Sequence, residues 1–288
     1  MEKSIFICPV CGEYLTRDNS IYACPKRHSF DISAKGYVNL LMSGSKNSAV
    51  PGDNKLMVNA RAEFLEKGYY SHLAQAVCRA GNDYFNGGAA LDAGCGEGYY
   101  TEQLFRELLA AGCTGGAAVD ISKAACAKAG RRLAALRGLP QPGGMTGNVC
   151  CETAAASVFR MPLAAGSISL MTSMFAPLCR EEFLRVLSPG GVLIMAIPAP
   201  SHLMSLKEKI YDSPYENVTS DYTLPGFELL EVRKVSREIF IDEPADIRSL
   251  FAMTPYYYKT GREGHERVRA LESLVTQAAF EVIIYRKI

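Results

Sequence analysis

The 288-residue chain contains no tryptophan and only four histidines, so a histidine-rich metal centre is excluded and each imidazole has to be placed on its own. It also lacks an excess of either charge, with 31 lysines and arginines against 30 aspartates and glutamates and a net charge of +1. A global positive field that would announce nucleic acid is thereby excluded, and any such partner has to be met by a local patch. No apolar run reaches the roughly eighteen residues of a membrane-spanning helix. The opening residues lack the basic-then-apolar pattern of a secretory leader, so a cytoplasmic protein with no membrane partner is expected. No internal repeat or low-complexity tract is visible. With 48% apolar and 21% charged residues the composition is ordinary for a globular protein, and the length suffices for a large domain with an appendage.

Cysteine is plentiful, at ten residues. Cys78, Cys95, Cys113, Cys126, Cys150, Cys151 and Cys179 are scattered among small and apolar neighbours and read as reduced core residues. The others, Cys8, Cys11 and Cys24, join His28 in the pattern C-x2-C-x12-C-x3-H. A two-residue spacing lets two thiolates approach one tetrahedral ion, and an intervening hairpin brings the second pair round to it. Tyr14, Leu15, Ile21 and Tyr22 suit two short strands joined by the polar tip TRDNS. So small a core needs a metal to hold it together. Four protein ligands close the coordination sphere, so a structural Zn2+ on Cys8, Cys11, Cys24 and His28 is expected.

The segment FDISAKGYVNLL ends this module, and SGSKNSAVPGDN is a polar connector. A helical pattern runs from Lys55 to Phe85, interrupted at Gly68. From Ala89 onward, AALDAGC, GGAAVDIS, ISLMTSMFA and GVLIMAIPAP read as buried parallel strands. TEQLFRELLAAG, KAACAKAGRRLAALRG and REEFLRVL read as the helices between them. The tail offers FELLEVRKVSREIFID, then PADIRSLFAM and HERVRALESLV as helices, and FEVIIYRKI as a last strand. The predicted fold class is α/β, an open Rossmann-like sheet whose ligand sits at the carboxyl ends of its strands. Residues 1–45 form the zinc-binding module, 46–88 a linker and helices, and 89–288 the α/β domain.

The first strand of that domain ends in LDAGCGEGYY, placing Asp92, Gly94, Gly96 and Gly98 in the pattern D-x-G-x-G-x-G with Glu97 inside it. Glycines here let backbone approach a ligand closely. The two carboxylates repel a pyrophosphate and suit a ligand bearing an amino group or a sulfonium. At the end of the second strand, Asp120 stands where a carboxylate accepts both ribose hydroxyls. These features resemble the class I S-adenosylmethionine-dependent methyltransferases. The third strand region, VCCETAAAS, offers no acid at the usual adenine position, the connector LPQPGGMTGN before it is long, and Ser169 stands where such folds often carry an aspartate. The segment Phe175-Ala176-Pro177-Leu178 departs from the N/D-P-P-Y/F of exocyclic amino-group enzymes, and Cys179 is not in the P-C pair of a cytosine C5 enzyme.

Taken together, CPKRH, FDISAKGYVNLL, PGD at 51–53, FLEKGYY, LDAGCGEGYYT and IPAPSHLMSLKEKIY resemble the bacterial 23S rRNA (guanine-N1)-methyltransferases, whose members include enzymes linked to tylosin-type macrolide resistance. The resemblance runs in order from Cys8 to about Pro255. It implies methyl transfer from S-adenosylmethionine to N1 of a guanine in a hairpin loop of 23S rRNA, zinc on the four ligands above, and Tyr70, Gly96, Glu97 and His202 around the cofactor. It also implies a homodimer, although no interface is readable in the residues.

Guanine N1 carries a proton and is a poor nucleophile until the proton leaves, and no general base is named by the sequence. A paired base has to be extruded or taken from a loop, which calls for an aromatic platform. TPYYYK and the loop at Phe175 are the candidates. Lys26, Arg27, Lys35 and Lys46 either face rRNA phosphates or are solvated charges on a folding staple. His72 matches no motif, and His265 reads as exposed helix. Two rival readings remain at this stage: a small-molecule (metabolite or quinone) methyltransferase, and a non-catalytic binding module.

Overall fold

The computed structural model describes residues 2–42, 52–136, 151–218 and 221–288. Lys46, Pro51, Cys150 and the connector 139–148 lie outside the described residues. The chain begins with four short strands, β1 (Glu2–Ile7), β2 (Tyr14–Asp18), β3 (Ile21–Ala23) and β4 (Ser29–Asp31), paired antiparallel in that order. The expected hairpin about TRDNS is β2–β3.

Next come β5 (Tyr37–Asn39), α1 (Lys55–Glu66) and α2 (Ser71–Tyr84). Asn54 starts α1 by accepting from the Met57 amide at 3.0 Å, and Gly68, at φ +79°, makes the break between the two helices. The alternating half follows as β6 (Ala89–Ala93), α3 (Tyr99–Ala110), β7 (Gly115–Asp120), α4 (Lys123–Ala134), β8 (Cys151–Ala155), β9 (Ile168–Met174), α5 (Arg180–Val186) and β10 (Leu187–Pro198). The tail comprises α6 (Met204–Ile210), β11 (Phe227–Ile241), α7 (Pro244–Ala252), α8 (Tyr256–Lys259), α9 (Arg262–Arg269) and β12 (Leu274–Lys287). One expectation is corrected here. HERVRALESLV is not helical throughout: α9 ends at Arg269 and the chain enters β12 at Leu274. Leu274, Thr276 and Ala278 alternate inward from that point, so the strand period of two overrides the helical pattern.

The large sheet has the order β11-β12-β10-β9-β6-β7-β8-β5, with β12 antiparallel to both its neighbours and the other pairs parallel. The chain winds outward from β6 through β7 to β8, then returns to β9 on the other side. The topological switch therefore lies between β6 and β9, and the crevice outside their carboxyl ends is where an open α/β sheet takes its ligand.

Two apolar layers cover the sheet. One face carries Ala90, Ala118, Leu170 and Ile194 against α1, α2, α3 and the tail helices. The other carries Leu91, Val119, Ala154 and Met171, and Phe6, Leu15 and Tyr22 of the N-terminal strands belong to the same cluster. Glu152 on β8 fastens this contact: its buried carboxylate accepts from Ser4 Oγ at 2.8 Å, the Ile5 amide at 2.9 Å and Tyr22 Oη at 2.6 Å. Among the described residues no helix is long and apolar enough to cross a membrane.

Candidate active site and metal centre

The loop from β6 into α3 turns through three left-handed glycines, Gly94, Gly96 and Gly98, at φ +87°, +54° and +86°. Their surroundings divide their roles. A Cβ on Gly94 would lie 2.4 Å from the Ala176 Cβ, and one on Gly98 would lie 2.9 Å from the Ala129 Cα, so protein packing demands both glycines. A Cβ on Gly96 would meet only the tip of the Arg61 guanidinium, at 3.5 Å. Gly96 is therefore the glycine that leaves room for something other than protein.

The three acids also separate. Asp92 points into the sheet, where Thr101 Oγ1 donates to one oxygen at 2.5 Å and Thr172 Oγ1 to the other at 2.9 Å. Burial pushes its pKa up to about 6 against the help of those hydroxyls. Asp120 accepts the Gly96 amide at 2.9 Å and the Ser122 amide at 2.8 Å, one on each oxygen, and keeps a lone pair free on each. Burial raises its pKa too. Glu97 is 2% exposed, and its Oε2 has no hydrogen-bond partner. Its nearest cation is Arg61, 3.9 Å away. Burial raises the Glu97 pKa, and Arg61 opposes the rise. A buried carboxylate oxygen left open beside an unobstructed glycine fits a ligand carrying an ammonium group.

Arg61 is a residue that the sequence reading missed. It rises from α1, pairs with Asp53 at 2.5 Å and with Glu97, and donates to the Met253 carbonyl at 3.5 Å. Nothing in a helix of mixed polarity distinguishes one arginine from another, and only the acidic PGD turn ahead of it offers a signal.

On the other side of the switch point sits an aromatic cluster. Tyr70, 3% exposed, packs edge-on against Phe64 at 5.1 Å and Phe280 at 4.9 Å. His202 is buried beside it, accepts the Ala279 amide on Nδ1 at 3.2 Å, and so carries its proton on Nε2, 3.5 Å from the Tyr70 hydroxyl. Burial and the nearby Lys207 charge push its pKa down to about 3. Its neutral form is fixed and both nitrogens are engaged, so it is poorly placed to act as a base. Phe175 extends the cluster, 5.7 Å from Phe280 and 6.5 Å from Tyr100. It is a non-glycine residue at φ +56° and 47% exposed, which marks a strained position at the mouth of the crevice. His72 is buried and bonded to the Ala278 carbonyl at 2.9 Å. His265 departs from expectation: it is half-buried, 3.0 Å from the Tyr257 carbonyl and packed on Phe251.

The structure therefore brings Tyr70 together with His202, and Gly96 together with Glu97 and Asp120. Asp92 it turns away into the sheet.

In the N-terminal module the ligand atoms of Cys8, Cys11, Cys24 and His28 all lie within 4.8 Å of one another. Cys11 Sγ and Cys24 Sγ are 3.7 Å apart, and His28 Nδ1 is 3.5 Å from Cys8 Sγ and 3.4 Å from Cys24 Sγ. Tetrahedral zinc with bonds of about 2.3 Å to sulfur and about 2.05 Å to nitrogen has edges of about 3.8 Å and 3.6 Å, so the donor set fits the ion. Burial opposes ionisation of Cys24, but the His28 amide and its other neighbours bring the pKa down to about 7, favouring the thiolate a metal needs.

Residues 6–49 match the family model described as RlmA, N-terminal, a zinc ribbon, and residues 91–195 match one described as Methyltransferase domain. A Micromonospora griseorubida protein provisionally named a 23S rRNA (guanine-N(1)-)-methyltransferase is 33% identical over 222 residues, covering 70% of this chain and 68% of its own. The 23S rRNA (guanine(748)-N(1))-methyltransferase of Streptomyces fradiae is 28% identical over 257 residues, covering 86% and 84%. A Bacillus subtilis (strain 168) protein, YxjB, provisionally named for the same guanine-N1 reaction, is 25% identical over 304 aligned positions, covering 100% and 99%.

Proposed function

The chain belongs to the 23S rRNA (guanine-N1)-methyltransferases, and on that premise we propose that its own residues carry out this transfer on a guanine in a hairpin loop of 23S rRNA, in the cytoplasm. The enzyme is S-adenosylmethionine-dependent and holds a structural zinc. The observation that carries the reading is a four-ligand ribbon fastened to the same sheet whose switch point holds an open glycine and an unsatisfied carboxylate.

S-adenosylmethionine supplies the methyl group on a cationic sulfur and so an electrophile that needs only alignment and an activated acceptor. In the proposed arrangement Glu97 Oε2 accepts from its amino group, and the remaining lone pairs of Asp120 accept its ribose hydroxyls. Gly96 lets the backbone come close, while Gly94 and Gly98 keep the loop shut against Ala176 and α4. Asp92 holds β6 to α3 and β9 through its two threonines and positions the loop without touching the ligand. Tyr70 and His202 form the wall opposite. Phe175 offers its exposed ring as the platform on which the guanine stacks.

The ribbon contributes Lys26 and Arg27 toward the RNA backbone. Lys26 is also 3.4 Å from Glu13, with both side chains solvated, a contact weak enough to exchange for a phosphate. A homodimer, as the family resemblance implies, gives a long RNA two such faces. Incubating 23S rRNA with the protein and methyl-labelled S-adenosylmethionine, then digesting to nucleosides, is the test. Label in 1-methylguanosine supports the reading, whereas label in any other nucleoside, or none with cofactor binding intact, refutes it.

A further inference from the structure

Lys207 on α6 is 0% exposed, the only lysine among the fully buried side chains of the described residues. Its ammonium has three N–H donors. Two are used, toward the Tyr215 carbonyl and the Asn217 Oδ1, each at 2.9 Å. No carboxylate of the described residues stands within ion-pair distance. Two aromatic rings also lie near the ammonium. The Tyr215 and Tyr256 ring centres lie 5.1 and 5.5 Å from the nitrogen, and Tyr211 adjoins both rings at 5.7 and 6.3 Å. The Tyr211 hydroxyl is itself buried and makes no hydrogen bond of normal length, with the Thr260 and Tyr215 side chains beside it.

A buried cation with no anion is costly, and a buried orphan donor beside it adds to the cost. Both would be relieved by an acceptor that carries negative charge. The cage adjoins the carboxyl end of β10. Asn217 donates from its side chain to the Ala199 carbonyl at 2.8 Å and from its amide to the Pro200 carbonyl at 3.2 Å, so the segment covering Lys207 is pinned to the carboxyl end of β10. His202, whose amide donates to that same Ala199 carbonyl at 3.0 Å, lies one residue before Leu203, the residue that precedes α6. Tyr215, 50% exposed, is the side of the cage that meets solvent.

We infer that Lys207 stabilises the negative charge that develops on guanine O6 and N1 during transfer, with the Tyr211 phenol as a second donor to the same oxygen. The inference rests on the guanine-N1 reading and names the group in this chain that activates the acceptor. In the step, the N1–H bond breaks and its proton passes to solvent water. The electron pair left on N1 forms the N1–CH3 bond as the methyl–sulfur bond breaks with its pair going to sulfur. The ammonium holds the guanine anion in a low-dielectric cage where a fixed donor counts for most. The titratable groups facing it are Tyr211 and Tyr215 on its covering segment, Tyr256 on α8, Glu216 at longer range and His202 ahead of α6.

The test is steady-state methylation of a 23S rRNA hairpin transcript by the full-length zinc-loaded protein, wild type, Lys207→Met and Asn217→Ala, from neutral to alkaline pH. Lys207→Met is expected to lower kcat about 100-fold at neutral pH, with KM for RNA and S-adenosylmethionine affinity changed by less than about threefold. Its deficit shrinks as pH rises, because free hydroxide then generates the guanine anion the lysine would have stabilised. Asn217→Ala loosens the covering segment but keeps the charge, and is expected to follow the wild-type pH profile with a milder loss. Parallel losses in the two variants with unchanged profiles would make Lys207 a structural anchor and overturn the inference, as would an undiminished kcat in Lys207→Met. A wild-type protein that yields no 1-methylguanosine would instead refute the guanine-N1 reading, before any variant is compared.

Discussion

At the scale of single residues, the acids of the glycine loop carry different work, and substitution separates them. Glu97→Gln removes the charge at the one open oxygen, and calorimetry should show S-adenosylmethionine binding weakened about 10- to 100-fold, the span of a hydrogen bond to a charged group. Asp92→Asn should leave that affinity within about threefold and change stability instead. The folded Asp92 carboxyl releases its proton near pH 6, whereas the unfolded one releases it near 3.9. Between those values the folded chain binds more protons, so stability falls as pH rises through the window. The neutral Asn escapes this loss, and urea unfolding at pH 4 and pH 7 should show it gaining on wild type by a term on the order of 3 kcal/mol, less whatever its bonds to Thr101 and Thr172 give up. His202 moves the other way. Its proton is lost well below the usual imidazole range, so its NMR signal should show no titration between about pH 5 and 8.

The loop itself was legible, because D-x-G-x-G-x-G needs a sharp turn whatever else it does. Which carboxylate faces a ligand was not legible, because that depends on Thr101 and Thr172 arriving from α3 and β9. Arg61 and Lys207 were invisible for the same reason: their meaning lies in Glu97, Tyr215 and Asn217, which only the fold brings near.

At the scale of elements, alternation and helical period placed β6, β7, β9 and β10 and the helices between them, since a buried parallel strand is a short apolar run with little else to confuse it. The same reasoning failed at HERVRALESLV, where an amphipathic helix runs on into a strand within a few residues. It also gave no hint that β8 carries a latch. Glu152 accepts three bonds from the ribbon, and Glu152→Ala removes all three at once. Hydrogen exchange should then quicken in β1 to β3, and KM for rRNA should rise about tenfold or more while S-adenosylmethionine affinity stays within about twofold, since the latch lies on β8, away from the loop after β6. Equal weakening of both ligands would mean that the latch supports the whole sheet. Zinc removal addresses the ribbon directly. Cys24→Ser should lower bound zinc and loosen the ribbon, because its four short strands have little core beyond the layer they share with the large sheet.

At the scale of the whole molecule, the sequence division into a 1–45 module and a domain behind it was drawn from motifs, and motifs do not show what packs on what. Phe6, Leu15 and Tyr22 share one apolar layer with Leu91, Met171 and Phe183, and β5 lies on the edge of the large sheet beside β8. The ribbon and the transfer site therefore share one apolar core, and in the proposed arrangement an RNA gripped at the ribbon is held at a fixed distance from the crevice. On that proposal the ribbon is a ruler for the target guanine as well as a staple. The chemistry of the crevice could serve many acceptors, and on the proposed reading the attached zinc module is what directs it to one place on a large RNA.

The most direct measurement is primer extension on a 23S rRNA transcript after incubation with the protein and S-adenosylmethionine, because a methyl group on N1 blocks the pairing edge and halts reverse transcriptase. The account predicts one new stop, at a single guanine, that depends on the cofactor and is lost in Glu152→Ala at limiting RNA. No stop with cofactor binding intact, or stops scattered over many guanines, would contradict it.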